Sequence, residues 1–423
     1  MRDSERVVVV GGGVAGLVAA RELVLAGHRV LLLERSARLG GQLAAHSVAG
    51  IELDAGAEAY ALRGDDIPNL LRRLRLEDDI VRPVDAPAWL QRSDGTAVAL
   101  PATAVLGIPG VPLAQDVIDA IGWRGAMRAQ LDTLLPGTVG AKAETVGELV
   151  RRRMGRAVLE GLVAPVVRGV HSVSPDELPV DRAAPGLRED MLAQGGLAIA
   201  VRARRQAAAA GSLVASLRGG MHRMATALAA DLERFGVEVR TGVEVTGADA
   251  GGVALADGAR IDGRVVLAAP LGVDAPRTRV RVVTLAVDAP ELADAPRGTG
   301  VLVAPDAPGV TARALTHLTA KWRWLAESTP LQLLRLSYDG EVDATPELAR
   351  RDAEVLLGRA IPAPVDTAIV EWERRGRRSD AEHAIDGMQR VGEAESGTGL
   401  AAVVAYARSV ASAIPSDGAR DAG

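Results

Sequence analysis

Residues 6–10 (Arg-Val-Val-Val-Val) form a short unbroken apolar run, the pattern of a strand buried on both faces of a parallel sheet. Residues 14–26 carry helical spacing, with Leu17, Ala20, Leu23 and Leu25 as core candidates, and His28 to Glu34 reads as a second strand, apolar from Val30 to Leu33. Strand, glycine turn, helix and strand make a βαβ unit, whose crossover is right-handed. From about 65 to 205 the pattern is mostly helical, with helix-like spacing over Arg72 to Leu76, Ala114 to Ile121, Val146 to Val163 and Glu189 to Ala210. Pro101, Pro109, Pro112, Pro136 and Pro175 punctuate that stretch. Strand signals return after 212. Gly236 to Val245 and Arg264 to Ala269 resume the first sheet, while Val280 to Val287 and Leu331 to Tyr338 belong to a second. Gly399 to Ala411 is the last predicted helix, and the small, polar tail after Pro415 is expected to fray.

At 423 residues the chain is long enough for two or three domains. With 49 basic and 54 acidic residues it has no electrostatic footprint for nucleic acid. The absence of cysteine removes disulfides, thiolate nucleophiles, Fe–S clusters, cysteine-ligated zinc and cysteinyl attachment of a cofactor. The six histidines, His28, His46, His171, His222, His317 and His383, lack metal-ligand spacing, so no metal site is expected. The N-terminus lacks the regions of a signal peptide. Val7 to Ala20, the longest nearly apolar stretch, falls short of the ~20 residues a bilayer crossing needs. A cytoplasmic protein without a transmembrane segment is expected, with room for peripheral membrane contact.

Gly11-Gly12-Gly13-Val14-Ala15-Gly16 matches G-x-G-x-x-G between a strand and a helix. Gly11 permits the tight turn, Gly13 lets backbone approach a pyrophosphate, and Gly16 lets helix and sheet pack closely. The N–H groups of Val14 and Ala15 then face the phosphates. Glu34 ends the next strand, at the distance expected for a ribose-binding acid.

Three further segments carry a family resemblance. Arg35-Ser36-Ala37-Arg38-Leu39-Gly40-Gly41 resembles the R-x-G-G segment of flavin oxidases, matched by Arg38, Gly40 and Gly41. Leu53 to Tyr60 resembles their small-residue turn beside the isoalloxazine, with Gly56, Ala57 and Glu58 as contact candidates. Val391 to Ala401 resembles the closing motif of flavin amine-oxidase-type proteins. That motif implies Gly392 and Glu393 by the diphosphate and ribityl chain, and Gly399, Leu400 and Ala401 under the flavin. Val243 and Val245 complete the cofactor set that the resemblance implies.

Other matches narrow the family. Leu217-Arg218-Gly219-Gly220-Met221, Val163 to Val170, Thr145 to Leu149, and Thr316-His317 with Lys321-Trp322 resemble segments of porphyrinogen oxidases, in the same order. The chain therefore resembles the flavin-dependent porphyrinogen oxidases, nearest the bacterial coproporphyrinogen III oxidase type. The implied fold is α/β: a Rossmann-like FAD-binding domain from discontinuous segments (1–64, 211–275 and 373–415), a mainly helical domain (65–210), a mixed-sheet substrate domain (276–372) and a flexible tail (416–423).

The implied activity is oxidation of coproporphyrinogen III to coproporphyrin III in haem biosynthesis. FAD is held non-covalently, dioxygen is the acceptor, and the cofactor carries the chemistry without a catalytic side chain being identified. Substrate propionates call for arginines, with Arg168 first and Arg202 and Arg205 behind it, and His171 and His317 as further candidates facing substrate. Contact with other haem-pathway enzymes is also open. Three readings stand beside this one: a protoporphyrinogen oxidase, another flavin amine-oxidase relative acting on an amine or carotenoid, and a non-catalytic FAD- or porphyrin-binding protein. Aromatic residues make up only 2% of the chain, which argues against a substrate-caging aromatic pair. The chain departs from the family in a shorter segment between Trp372 and Val391, in Asp339-Gly340 where relatives place an arginine, and in Ala401 where many have proline.

Overall fold

The computed structural model describes residues 6–62, 64–171, 173–207, 214–271, 277–375, 388–397 and 399–415. They form two compact units.

The first unit comprises 1–82, 213–278 and 372–423. Its centre is a five-stranded sheet in the order Glu238–Arg240, Arg29–Leu33, Arg6–Val10, Arg264–Leu267, Gln389–Arg390, every pair parallel. The twofold side-chain period of a strand divides the apolar run between two cores. Val7, Val9, Val30, Leu32 and Val266 face a core closed by the helices Val14–Leu25, His222–Arg234 and Leu400–Ser412. Val8, Val10, Leu31, Leu33 and Val265 face another, covered by the antiparallel hairpins of residues 245–262. That is why the run is continuous rather than alternating.

Three expectations are corrected here. Leu17, Ala20 and Leu23 are fully buried, but Leu25 is 47% exposed, because it lies roughly 200° round the helix from Leu23. The first segment runs to Arg82 rather than ending at 64, since the helix Asp66–Arg73 buries Ile67, Leu70 and Leu71 in the first core. The strand expected over 236–245 is two pieces. Glu238–Arg240 joins the parallel sheet, and Val245 starts an antiparallel hairpin after a turn at Gly242 (φ +70°).

The second unit comprises 83–212 and 279–371, so the segments expected as separate helical and sheet domains form one body. Its sheet runs Asp366–Arg375, Arg277–Val287, Gln332–Asp339, Ala314–His317, Gly300–Val303, Trp89–Gln91, Ala97–Ala99. Residues 89–99 are thus a hairpin rather than helix. Asp94 accepts from Thr96 N at 3.0 Å and Gly95 takes φ +82°, chemistry that favours a tight turn. The helix Pro346–Leu357 covers one sheet face through Ala349, Ala353 and Leu356.

The helical part includes Gln115–Gln130, Val146–Arg153, Ala164–His171, Leu187–Gln194 and Leu197–Ala207. The single helix expected over 189–210 is broken where Gly195 adopts φ +80°. Arg153, fully buried, ties this part together: its Nε donates to Asp132 Oδ1 at 2.5 Å, and its other nitrogens donate to the carbonyls of Pro136 and Asp132.

Candidate functional site

The carboxyl ends of the parallel strands in the first unit border a cavity of about 520 Å³, the position where open α/β sheets bind ligands. Its first wall is the glycine turn. A Cβ at Gly11 (φ +108°) would stand 2.9 Å from the carbonyl of Ala268, and one at Gly16 only 1.9 Å from the Gly11 oxygen. These two glycines are packing requirements. Gly13 differs, since a Cβ there meets nothing within 4 Å and would project into open space. Gly13 caps the Val14–Leu25 helix without a side-chain bond, and its first turn holds no acid. Its N–H groups are therefore left for a ligand.

Glu34 lies at the end of the neighbouring strand. Its Oε2 accepts from Gly12 N at 2.6 Å and its Oε1 from Ser36 N at 2.8 Å. A carboxylate has about four acceptor positions, so lone pairs remain for hydroxyls of a sugar. The Arg38-Leu39-Gly40-Gly41 turn folds back on the glycine loop. Gly40 N donates to Gly12 O at 2.8 Å, and a Cβ at Gly41 would come within 3.1 Å of Gly13 Cα. Arg38 braces this turn by donating to Gly41 O at 3.2 Å, and it does not line the cavity.

The closing segment forms the opposite wall. Gly392 (φ +126°) and Gly399 (φ +101°) both adopt backbone that favours glycine, and a Cβ at either meets nothing within 4 Å. Gly399 caps the helix Leu400–Ser412, again with no side-chain cap and no acid in the first turn. Two uncapped helix N-termini thus border one cavity, an arrangement suited to an anionic diphosphate.

Of the expected cofactor residues, Gly11, Gly13, Val14, Ala15, Glu34, Arg35, Gly40, Gly41, Ala57, Val243, Val245, Gly392, Glu393, Gly399 and Leu400 line the cavity. Gly16 and Ala401 lie away from its lining: Gly16 seats the helix against the turn, and Ala401 packs on the core. Gly56 and Glu58 shape the wall from behind. A Cβ at Gly56 would strike Gln42 O at 2.2 Å, and Glu58 O accepts from Ser216 Oγ at 2.6 Å. Sequence reasoning missed Gln42, Leu43, Glu244 and the run Ala268-Ala269-Pro270-Leu271. That run follows the parallel strand Arg264–Leu267, so strand-end position was the signal that could have found it.

The substrate candidates lie in the second unit. Arg168 is exposed on the helix Ala164–His171. His317 is corrected: it is fully buried, its Nε2 is 2.9 Å from Gln332 Oε1, and burial holds its pKa below the usual histidine range. It is a core residue. Arg205 donates to Ala102 O at 3.2 Å. The side chain of His171 and the segment 376–387 lie outside the described residues. Among the described residues no cluster of His, Asp or Glu could hold a metal, and no helix is long and apolar enough to cross a membrane.

The parallel sheet, the glycine turn and the paired helix N-termini define an α/β protein whose cavity suits an anionic ligand. The family described as flavin containing amine oxidoreductase matches residues 14–304, and the chain belongs to that family, whose cofactor is a flavin. A protein named coproporphyrinogen III oxidase from Mycobacterium leprae is 31% identical over 402 residues, 86% of each chain. One of the same name from Propionibacterium freudenreichii is 27% identical over 286 residues, and there the match spans only about half of the relative's length (54%). A crystal structure from Exiguobacterium sp. 255-15, provisionally named protoporphyrinogen oxidase, shares the fold with a TM-score of 0.80 at 24% identity, covering 97% of this chain and 98% of that one.

Proposed function

We propose that this chain oxidises coproporphyrinogen III to coproporphyrin III, with non-covalently held FAD and dioxygen as the electron acceptor. The observation that carries the substrate is the match to the Mycobacterium leprae coproporphyrinogen III oxidase over 86% of both chains. The cavity supports the cofactor. Its two uncapped helix N-termini suit the diphosphate, Glu34 suits the ribose, and the open faces of Gly13, Gly392 and Gly399 leave room for close backbone approach. The chain has no cysteine for a thioether link, which fits non-covalent attachment.

When bound, the flavin would supply a two-electron acceptor; with dioxygen as final acceptor, loss of three hydrides and three protons from the macrocycle would aromatise it and yield three hydrogen peroxide. The protein's own contribution is binding and orientation. The glycine turns and helix ends hold the phosphates, and the Ala55–Glu58 turn presents Ala57 to the cavity. Arginines of the second unit, Arg168 among them, receive the propionates. Porphyrinogen oxidation needs no nucleophile from the chain, consistent with a cavity lined mainly by small and aliphatic residues.

The test is porphyrin fluorescence after mixing FAD-loaded protein, air and coproporphyrinogen III, with protoporphyrinogen IX as a parallel substrate and a protein-free control. A rise well above autoxidation, faster with coproporphyrinogen, is expected. A faster rise with protoporphyrinogen overturns the substrate, and no rise with either overturns the activity.

A further inference from the structure

The second unit carries two arginines that the expected cofactor chemistry does not use together. Gly169 seats the helix Ala164–His171 directly on the strand Gly300–Val303, since a Cβ there would stand 2.6 Å from Leu302 Cδ2. Leu302 pairs with Ala314, and Ala314 with Ser337. All three side chains therefore point to the sheet face opposite the helix Pro346–Leu357, which packs on the alternate residues Val301, Leu315 and Leu336. Arg313, just before Ala314, is pinned to this sheet on both sides. Its carbonyl accepts from Val303 N at 3.0 Å and its N–H donates to Ser337 O at 2.8 Å.

The guanidinium of Arg313 is mostly buried, with 13% of its side chain exposed. Its acidic neighbour is Asp339, with Nε and Oδ1 3.3 Å apart, and Nη2 reaches Tyr338 O at 3.5 Å; neither contact is a strong bond. Burial, then the nearby charge of Arg168, push Arg313 below its usual range against the pull of Asp339. Arg168 itself has no hydrogen-bond or ion-pair partner among the described residues. Arg168 thus lies near enough for its charge to act on Arg313, and Asp339 is the carboxylate that meets Arg313 among the described residues. Further polar groups share that face: Thr316 pairs with Arg335, which pairs with Thr284, across the same sheet.

We propose that Arg168 and Arg313 form a two-arginine clamp for one carboxylate arm of the substrate, and that this clamp favours macrocycles bearing more such arms. The inference rests on the porphyrinogen reading given above and adds to it the residue pair that reads the arms. A planar guanidinium pairs bidentately with a carboxylate, so two such forks on one arm hold it more tightly than either alone.

The clamp is tested by titrating FAD-loaded protein with coproporphyrin III, which keeps the four carboxylate arms, and with its tetramethyl ester, which removes their charge. Binding is read by porphyrin fluorescence quenching for the wild type, R168A, R313A, R313K and the double variant R168A/R313A. Loss of a charge-assisted pair should weaken coproporphyrin binding roughly ten- to hundredfold in each alanine variant. Ester binding should change little, and the double variant should fall short of the product of the two single losses because both arginines hold one arm. R313K retains the charge and guards against misfolding; it should lie between wild type and R313A. An unchanged acid-to-ester ratio in R168A and R313A, with wild type binding both, overturns the clamp and leaves the porphyrinogen reading intact. Failure of the wild type to bind either compound overturns both.

Discussion

Asp54 and His222, 168 positions apart, meet with Nδ1 and Oδ1 separated by 3.0 Å. The same carboxylate accepts the backbone N–H of Met221 at 2.9 Å and of His222 at 2.8 Å, so Asp54 caps the His222–Arg234 helix from a different segment. Asp54 is nearly buried and ends the strand Ile51–Asp54, immediately before the small-residue turn that brings Ala57 to the cavity. Gly220 (φ +100°) makes this possible, because a Cβ there would stand 2.6 Å from the His222 ring and 3.0 Å from Asp54 Oδ1.

Asp54→Asn should therefore destabilise the protein by about 2–3 kcal/mol, since an amide presents one acceptor oxygen where three donors converge. Flavin affinity should fall with it, as the Ala55–Glu58 turn loses its tether. Chemical denaturation and a flavin titration on the same sample check both, and unchanged values in each would show the cap to be dispensable.

Gly13→Asp should keep the fold and lose the flavin. The added side chain enters open space, so packing is undisturbed, but its carboxylate would stand where a diphosphate is expected. Gly16→Ala should do the reverse, because its methyl collides with the Gly11 carbonyl, and overpacking of this kind costs about 1–3 kcal/mol. Flavin content and melting temperature separate the two variants. A yellow Gly13→Asp protein would remove the glycine turn from the cofactor site.

Arg408 fastens the closing helix. It meets Asp66 Oδ1 at 2.5 Å and Glu22 Oε1 at 3.7 Å, linking Leu400–Ser412 to the helices Asp66–Arg73 and Val14–Leu25. Arg408→Ala should cost about 1 kcal/mol, given its partial exposure, and weaken flavin binding several-fold by loosening the turn at Gly399. Calorimetric titration of apoprotein with FAD reads the loss.

His317 predicts a pH dependence. Burial lowers its pKa in the folded protein, so the unfolded chain binds the proton first. Its neutral form is at home in the core above the ordinary histidine range, near 6.5. Stability from this residue is thus complete above that pH and is lost as pH falls toward the lowered folded value. Melting temperatures between pH 8 and pH 5 should decline, and His317→Gln should flatten that part of the profile. An equally steep decline in the variant would assign the effect elsewhere.

The glycine segments were legible in the chain because their chemistry is local. A tight turn, a positive φ or a close backbone approach each demands glycine within a few residues, as at Gly11, Gly40 and Gly399. The continuous run Val7 to Val10 likewise announces a strand with two covered faces. Residues 89–99 were harder, since three-residue strands carry too few positions to show a period.

The apolar periods and the glycine spacing were enough to indicate the βαβ start, the glycine turn at the sheet's edge and the helix over 400–412. They act through backbone geometry that neighbouring residues specify. Pairings between remote positions were settled by folding alone. Arg6–Val10 aligns with Arg264–Leu267, Asp54 with His222, Arg408 with Asp66, and Gly169 with Leu302. None of these has a local signature, because each partner satisfies ordinary rules for its own segment. The contact arises only when the sheets and helices close and bring the charges and surfaces together.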